Sequence, residues 1–142
     1  MLRQARREEG AAAVEFAMIA GVLVLLIFGM LQFGLAFWQV QNLRSATREA
    51  ARVAAVRADN ATIGSRLVGA SNSTLPTGYG GYTVRTGGAN GLCTKDTSGD
   101  EVEVRITNGS LPASVRDAFS IDIPFMPTFT INPDLSGTFR CE

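Results

Sequence analysis

The pattern of apolar and polar positions separates an apolar N-terminal segment from a more polar remainder. From Ala17 to Trp38 the chain carries no charged side chain, and Gln32 is the one strongly polar residue in this stretch. A helix of these 22 residues would be about 33 Å long, which is enough to cross a hydrocarbon core of about 30 Å. The pattern therefore predicts a transmembrane helix, which we place at residues 11–38.

A cleaved secretory signal peptide is the alternative for this segment. The apolar run is about twice as long as the usual signal core of roughly 7–15 residues, and no small-x-small cleavage site follows it. The chain also continues without Gly or Pro from Gly34 to Gly64, as a helix would. These features favour a segment that stays in the protein.

Residues 39–58 show the period of an amphipathic helix that continues the membrane helix. Apolar residues recur at spacings of three and four, and arginines follow one another at i, i+4 on another face. We therefore expect one continuous helix from about residue 12 to residue 58. The apolar positions are Val40, Leu43, Ala46, Ala50, Val53 and Ala54, and the arginines are Arg44, Arg48 and Arg52.

The C-terminal part, residues 59–142, predicts a small head domain. Gly64 and Gly69 are expected to interrupt any helix in the polar stretch from Asn60 to Ser73. Beyond it, apolar and polar residues alternate as in half-buried antiparallel strands. The predicted strands are residues 81–86, 101–107 and 120–125, together with the pairs Phe129 with Ile131 and Phe139 with Cys141.

The clearest alternation is in residues 101–107, where Val102, Val104 and Ile106 share one face. We expect the packed face of the sheet to rest on the apolar stripe of the amphipathic helix, and a short helix within residues 110–119. The fold class is therefore α+β, a long N-terminal transmembrane and stalk helix followed by a small, β-rich, antiparallel, pilin-like head.

Composition argues against several classes of function. The 142 residues carry 13 basic and 13 acidic side chains and no histidine. A net charge of zero does not suggest a nucleic-acid partner, and the missing histidine removes the commonest general base and metal ligand. We expect no enzyme activity, no metal site and no cofactor.

The two cysteines, Cys93 and Cys141, are too far apart for a CxxC redox or zinc motif. A disulfide is the natural interpretation in an exported domain. Two unrelated reduced thiols in a cytosolic protein are the alternative, which the membrane segment disfavours. The arginines on either side of the span do not settle its orientation, since three precede it and four follow it closely.

The N-terminal segment "RREEGAAAVEFAMIAGVLVLLIFGMLQFGLAFWQVQNLRSATREAARVAAV" resembles the TadE-like family, minor pilins or pseudopilins of the tight-adherence (Flp, type IVc) pilus system. The similarity lies in a short basic leader, a glycine that is followed by four residues and then Glu-Phe, an uninterrupted membrane helix and "ATREAARVAAV" after it. It covers about residues 3–57.

The resemblance implies that residues 1–10 are a leader peptide, which a prepilin peptidase removes on the cytoplasmic side by cutting between Gly10 and Ala11. The helix then remains in the lipid bilayer of the cell (inner or plasma) membrane as anchor and assembly interface, with an exported head. The expected partners are other pilin or pseudopilin subunits and the Tad assembly platform. Phe16, where the shorter major pilins usually have tyrosine, favours a minor subunit in a pilus that attaches cells to surfaces.

Glu15 is the one ionisable residue between Ala11 and Trp38. A carboxylate in an apolar segment is costly, so we expect it to have a specific role in helix register. The resemblance supports pairing with the freed Ala11 amine of a neighbouring subunit, which is largely protonated at neutral pH. The alternative is that Glu15 reaches back to the headgroup region.

Two functions fit the whole chain. The first is the structural pilin subunit that the resemblance implies. The second is a single-pass membrane protein whose exported domain binds a ligand or a substrate. The second does not account for the spacing of Gly10 and Glu15 or for the long helix beyond the span.

Overall fold

The computed structural model describes residues 2–121 and 127–142, with side chains described from residue 10 onward. The chain divides into two compact units, Met1–Leu35 and Ala36–Glu142. Helix α1, Leu2–Ala55, makes up the first unit and continues into the second. An antiparallel sheet follows in the second unit, so the predicted α+β class with a long N-terminal helix is confirmed.

From Val14 to Leu35, α1 carries large apolar side chains that are exposed. The exposed fraction of these side chains is between 42% and 73%. Among the described residues one helix segment, Gly10–Ala55, is long and apolar enough to cross a membrane. Such a surface is unfavourable in water and is expected where lipid or other apolar helices surround it.

The amphipathic stripe predicted for the second half of α1 is confirmed by its burial. Leu43, Ala46, Ala50 and Ala54 are fully buried, and Val40 and Val53 pack against the same core. The helix ends at Ala55, short of the predicted end at residue 58. Its last turn closes with i→i−3 bonds from the N–H groups of Val56 and Arg57, and Arg57 takes the left-handed conformation, φ 62°, common just after a helix end.

The head contains a four-stranded antiparallel sheet of order β2-β1-β3-β6. Its strands are β1, Thr83–Thr86, β2, Ala89–Asn90, β3, Glu101–Ile106, and β6, Leu135–Arg140. Strand β3 is central, and Val102, Val104 and Ile106 are fully buried on one face, as their alternation predicts. These side chains join the buried residues of α1 in one core.

The expectation that Gly64 and Gly69 prevent a helix is wrong. Residues Asn60–Ala70 form helix α2, with Ile63 and Leu67 fully buried. Burial of these two side chains outweighs the cost of about 1 kcal/mol that each interior glycine adds relative to alanine. Gly64 has a packing reason as well, because a Cβ there would lie 3.0 Å from the hydroxyl oxygen of Tyr82.

The remaining elements are short. A 3₁₀ turn, Asn108–Ser110, precedes helix α3, Ala113–Asp117. Helix α3 lies inside residues 110–119, the stretch predicted to hold a short helix. Strands β4, Ser120–Ile121, and β5, Phe129–Thr130, form a separate antiparallel pair. Of the strand predicted at 120–125, residues 122–125 lie outside the described residues.

Burial at the last two predicted strand pairs is only partial. Phe129 is 58% exposed and Phe139 is 41% exposed, while Ile131 is partly buried and Cys141 is buried. The two phenylalanines therefore depart from the half-buried alternation that their spacing predicts. Strand β2 had no counterpart in the sequence pattern, since two residues are too few to show a period.

Candidate assembly segment and head

The residues predicted for processing and assembly lie on one stretch of α1. Gly10, Ala11, Glu15 and Phe16 are all exposed in the first unit. A Cβ placed on Gly10 would meet no other atom within 4 Å, so folding of the chain does not require glycine there. Any requirement for glycine at position 10 must therefore come from a partner, such as a peptidase.

Glu15 lies one helical turn after Ala11 and at the N-terminal end of an apolar strip of α1. The strip is formed by Met18, Ile19, Val22, Leu23 and Leu26. Because residues three and four apart share a helix face, the Glu15 carboxylate belongs to the same face as Met18 and Ile19. The charge therefore marks one end of an otherwise apolar surface.

In the uncut chain this stretch is helix interior. Helix α1 begins at Leu2, so each backbone N–H group of residues 11–14 has a carbonyl group of the same helix four residues earlier as its hydrogen-bond acceptor. The macrodipole and the free N–H groups of a helix N-terminus act only within the first turn. Glu15 does not benefit from either of them while residues 2–10 remain attached.

The two predicted cysteines come together in the head. Cys93 and Cys141 form a disulfide with their Cα atoms 5.7 Å apart, and both are buried in the core. The backbone N–H of Cys141 donates to Asp100 O at 2.8 Å, and that of Glu142 donates to Ala55 O at 3.0 Å. The segment after β6 is thus tied to Cys93 by the disulfide and to the end of α1 by the bond from Glu142.

A second link at the end of α1 was not predicted from the sequence. The Arg57 guanidinium donates to the backbone carbonyl of Glu142. The neighbouring bond from the Glu142 N–H satisfies the Ala55 carbonyl, one of those that a helix end leaves without partners. Neither residue carries a sequence signal for this contact, because they are 85 residues apart.

Among the described residues there are two ion pairs, one on α1 and one on the head. Arg52 donates to Glu49 from Nε at 2.9 Å and from Nη2 at 2.7 Å, and this pairing lowers the pKa of Glu49. Arg105 binds Asp134 with two hydrogen bonds, of which the one from Nε measures 2.8 Å, and it lowers the pKa of Asp134. Each pair is exposed, so each contributes little to stability.

One groove of the head lies between α2 and the loop before β1. It has a volume of about 480 Å³ and is lined mainly by apolar atoms around Tyr79, Tyr82 and Val68. The Tyr79 hydroxyl donates to Gly81 O at 2.6 Å, and that of Tyr82 donates to Asn60 O at 2.7 Å. Burial raises the pKa of both hydroxyl groups, which remain protonated donors that fix the loop rather than reactive groups.

Among the described residues, no group of three or more Cys, Asp or Glu side chains is placed to hold a metal ion. Within the same residues, the free carboxylates of the head are on its surface rather than in the groove.

Comparison with known proteins gives one match. Residues 10–52 match the family model described as TadE-like protein. No curated protein and no solved structure gives a significant match to the chain.

The matched range bears directly on the segment described above. It begins at Gly10, includes Glu15 and the whole apolar part of α1, and ends at Arg52 in the amphipathic part of the helix. Together with a helix that fits a single-pass membrane protein, the match supports a membrane protein associated with the Tad pilus. Over residues 10–52, the resemblance of this chain to the TadE-like family is thereby confirmed.

Proposed function

We propose that this protein is a minor pilin or pseudopilin, a membrane-anchored structural subunit used to assemble tight-adherence (Flp, type IVc) pili. The observation that carries the proposal is the family match, which starts at Gly10, the residue before the predicted cleavage point. The match is to a structural family, which agrees with a head built for packing. In this role the head contributes to surface attachment through the pilus.

The proposal includes removal of residues 1–10 by a prepilin peptidase. Cleavage after Gly10 would remove the carbonyl groups that accept hydrogen bonds from the first residues of the new chain. Ala11 would carry a free amine, and Glu15 would lie within the first turn of a newly created helix N-terminus. There the macrodipole and the unpaired N–H groups favour a carboxylate.

The change in the environment of Glu15 gives a reason why cleavage precedes assembly. Before cleavage its charge lies inside a helix, where the dipole offers no stabilisation. After cleavage it is the fifth residue of a helix whose N-terminus favours negative charge, and it can pair with the Ala11 amine of a neighbouring subunit. A pair formed in a dry helix bundle would reward the correct axial register, because a misaligned neighbour would leave the charge unpaired.

The proposed orientation puts residues 1–10 in the cytoplasm and the head on the exported side of the cell (inner or plasma) membrane. A disulfide is more stable in an oxidising compartment, which supports this orientation of the head. The proposed partners are the lipid bilayer, the prepilin peptidase, other pilin or pseudopilin subunits and the Tad assembly platform.

N-terminal sequencing of the protein isolated from membranes tests the proposal. A first residue of Ala11 supports it, whereas Met1 would favour a single-pass membrane protein with an exported ligand-binding head. The groove around Tyr82 would be the place to look for such a ligand. A first residue beyond about position 38 would indicate a secreted protein and would contradict both functions.

A further inference from the structure

A groove with positive charge lies on the second half of α1, beside strand β6. Its walls are one face of α1 from Gln41 to Arg52 and the side chain of Phe139, and its volume is about 270 Å³. Phe139 is 41% exposed, at the end of a strand whose apolar residues are otherwise buried. All of these residues belong to the second unit.

The charge of the groove is not balanced by its own side chains. Glu49 is the one carboxylate in its lining, and Arg52 engages both of its oxygen atoms. Arg66, on α2, adds a further attraction that lowers the pKa of Glu49, which therefore stays ionised and committed to its partners. Within the described parts of the chain, Arg44 and Arg48 are exposed and take part in no ion pair.

Distances along the helix place these two arginines close to a bilayer surface. Trp38 is at the end of the apolar segment, where an interfacial aromatic is expected. At about 1.5 Å per residue, Arg44 is about 9 Å and Arg48 about 15 Å further along α1. Side chains on a helix lean toward its N-terminus, which here is the direction of the apolar segment.

The reach of arginine closes the remaining gap for Arg44, and Arg48 lies one helical turn further out. The headgroup layer on each side of a bilayer is about 5–7 Å thick, so the Arg44 backbone lies just beyond it. Long basic side chains extend back to this level while their aliphatic stems cover apolar surface, and Phe139 supplies such a surface in the groove. A guanidinium group at this depth meets lipid phosphates.

We propose that Arg44 and Arg48 form a binding site for the phosphate of an anionic phospholipid at the membrane surface. The planar guanidinium group binds phosphate oxygens with two parallel hydrogen bonds, which lysine cannot do. Phosphate in this site balances the positive charge of Arg44 and Arg48, which form no ion pair among the described residues.

The occupant follows from position as well as from charge. An acidic segment of another protein would also satisfy the two arginines. Lipid phosphate, however, is present at this height around every copy of the chain and needs no further docking surface. The inference depends on α1 spanning a membrane and applies to either orientation of the chain, so it is independent of the pilin function.

Trp38 is the only tryptophan of the protein and serves as a built-in probe. The full chain is reconstituted into phosphatidylcholine vesicles that contain about one tenth phosphatidylglycerol. In one preparation the phosphatidylglycerol is brominated on acyl carbons near the headgroup, and in the other an equal amount of the phosphatidylcholine is brominated. Quenching of tryptophan fluorescence by each lipid reports how often that lipid is beside Trp38.

Each basic side chain close to an anionic surface contributes roughly a fivefold preference for it. We therefore expect brominated phosphatidylglycerol to quench Trp38 several-fold more than brominated phosphatidylcholine, and this ratio to fall toward one in R44Q/R48Q. The control Lys95→Gln/Arg116→Gln removes the same charge from exposed positions outside the groove and should keep the ratio. Quenching by brominated phosphatidylcholine verifies that each variant is inserted.

Either of two results would overturn the proposal. Equal quenching by the two lipids in the unaltered protein would show that the groove does not select an anionic phospholipid over a zwitterionic one, and would leave an acidic protein segment as its ligand. An unchanged preference in R44Q/R48Q would show that the selection comes from another part of the chain.

Discussion

Gly137 of strand β6 lies directly against the backbone of Thr47 in helix α1. A Cβ atom at position 137 would lie 2.6 Å from the carbonyl carbon of Thr47 and 2.7 Å from the nitrogen of Arg48. Those are backbone atoms of a helix, which cannot move aside as the end of a side chain can. The absence of a side chain at this one position lets the sheet approach the helix.

This contact predicts that Gly137→Ala destabilises the head. Overpacking of this kind costs about 1–3 kcal/mol, which should lower the midpoint of thermal unfolding by several degrees. Circular dichroism of the full chain in detergent, with the signal of the head followed in the near ultraviolet, measures the midpoint. Gly69→Ala is the matched control, since a Cβ there meets nothing within 4 Å and lies inside α2. Equal midpoints for the two variants would contradict the role of this contact.

The second prediction concerns the disulfide between Cys93 and Cys141, which are 48 positions apart in the sequence. The chain-entropy model assigns a closed loop of this length about 4 kcal/mol of stabilisation, as an upper value. Cys93→Ser/Cys141→Ser should therefore unfold at a clearly lower temperature, and dithiothreitol should lower the midpoint of the unaltered protein only. A midpoint of the unaltered protein that does not respond to complete reduction would refute the prediction.

Processing is tested by Gly10→Leu. A bulky side chain at the scissile bond should keep the peptidase from approaching, so the full-length precursor should accumulate in the membrane. Intact mass spectrometry of the purified chain distinguishes precursor from product. Gly21→Leu is the control, because a side chain at Gly21 also meets open space in the folded chain. Normal shortening of the Gly10 variant would exclude this cleavage site.

Glu15→Ala separates anchoring from assembly. The variant should still insert and be cut, because the apolar helix and Gly10 are unchanged, but it should not support pilus formation. Electron microscopy of cells that carry only the variant gives the result, and intact mass checks its processing. Glu101→Ala, an exposed carboxylate of the head, should leave pili unaffected. Normal pili on cells with Glu15→Ala would show that the carboxylate does not set the register.

The pair of Arg105 and Asp134 predicts a weak acid dependence of stability. Because Arg105 lowers the pKa of Asp134, the pair stabilises the head above the ordinary carboxyl pKa, and this contribution is lost as pH falls through the lowered value. Asp134→Asn should therefore lose less stability than the unaltered protein between about pH 5 and pH 2. Unfolding midpoints across this range measure the effect, with Asp117→Asn as control. Identical pH profiles for both variants and the unaltered protein would show that the pair does not contribute.

The sequence alone was sufficient for features that depend on local periodicity. The run from Ala17 to Trp38 determined a helix long and apolar enough to cross a membrane, because length and absence of charge are properties of the segment itself. The alternation at Val102, Val104 and Ile106 determined a half-buried strand in the same way. The stretch beginning at Gly10 carried the family resemblance, because its motif is contiguous in the chain.

The tertiary structure decided features that depend on residues far apart in the chain. Gly64 and Gly69 predicted an interruption, yet the burial of Ile63 and Leu67 made that segment helical. Propensity is a weak local term, about 1 kcal/mol per glycine, and the core that opposes it is assembled from distant segments. The strand order β2-β1-β3-β6 and the contact of Gly137 with α1 depend on the same long-range packing, which no pattern within a single segment contains.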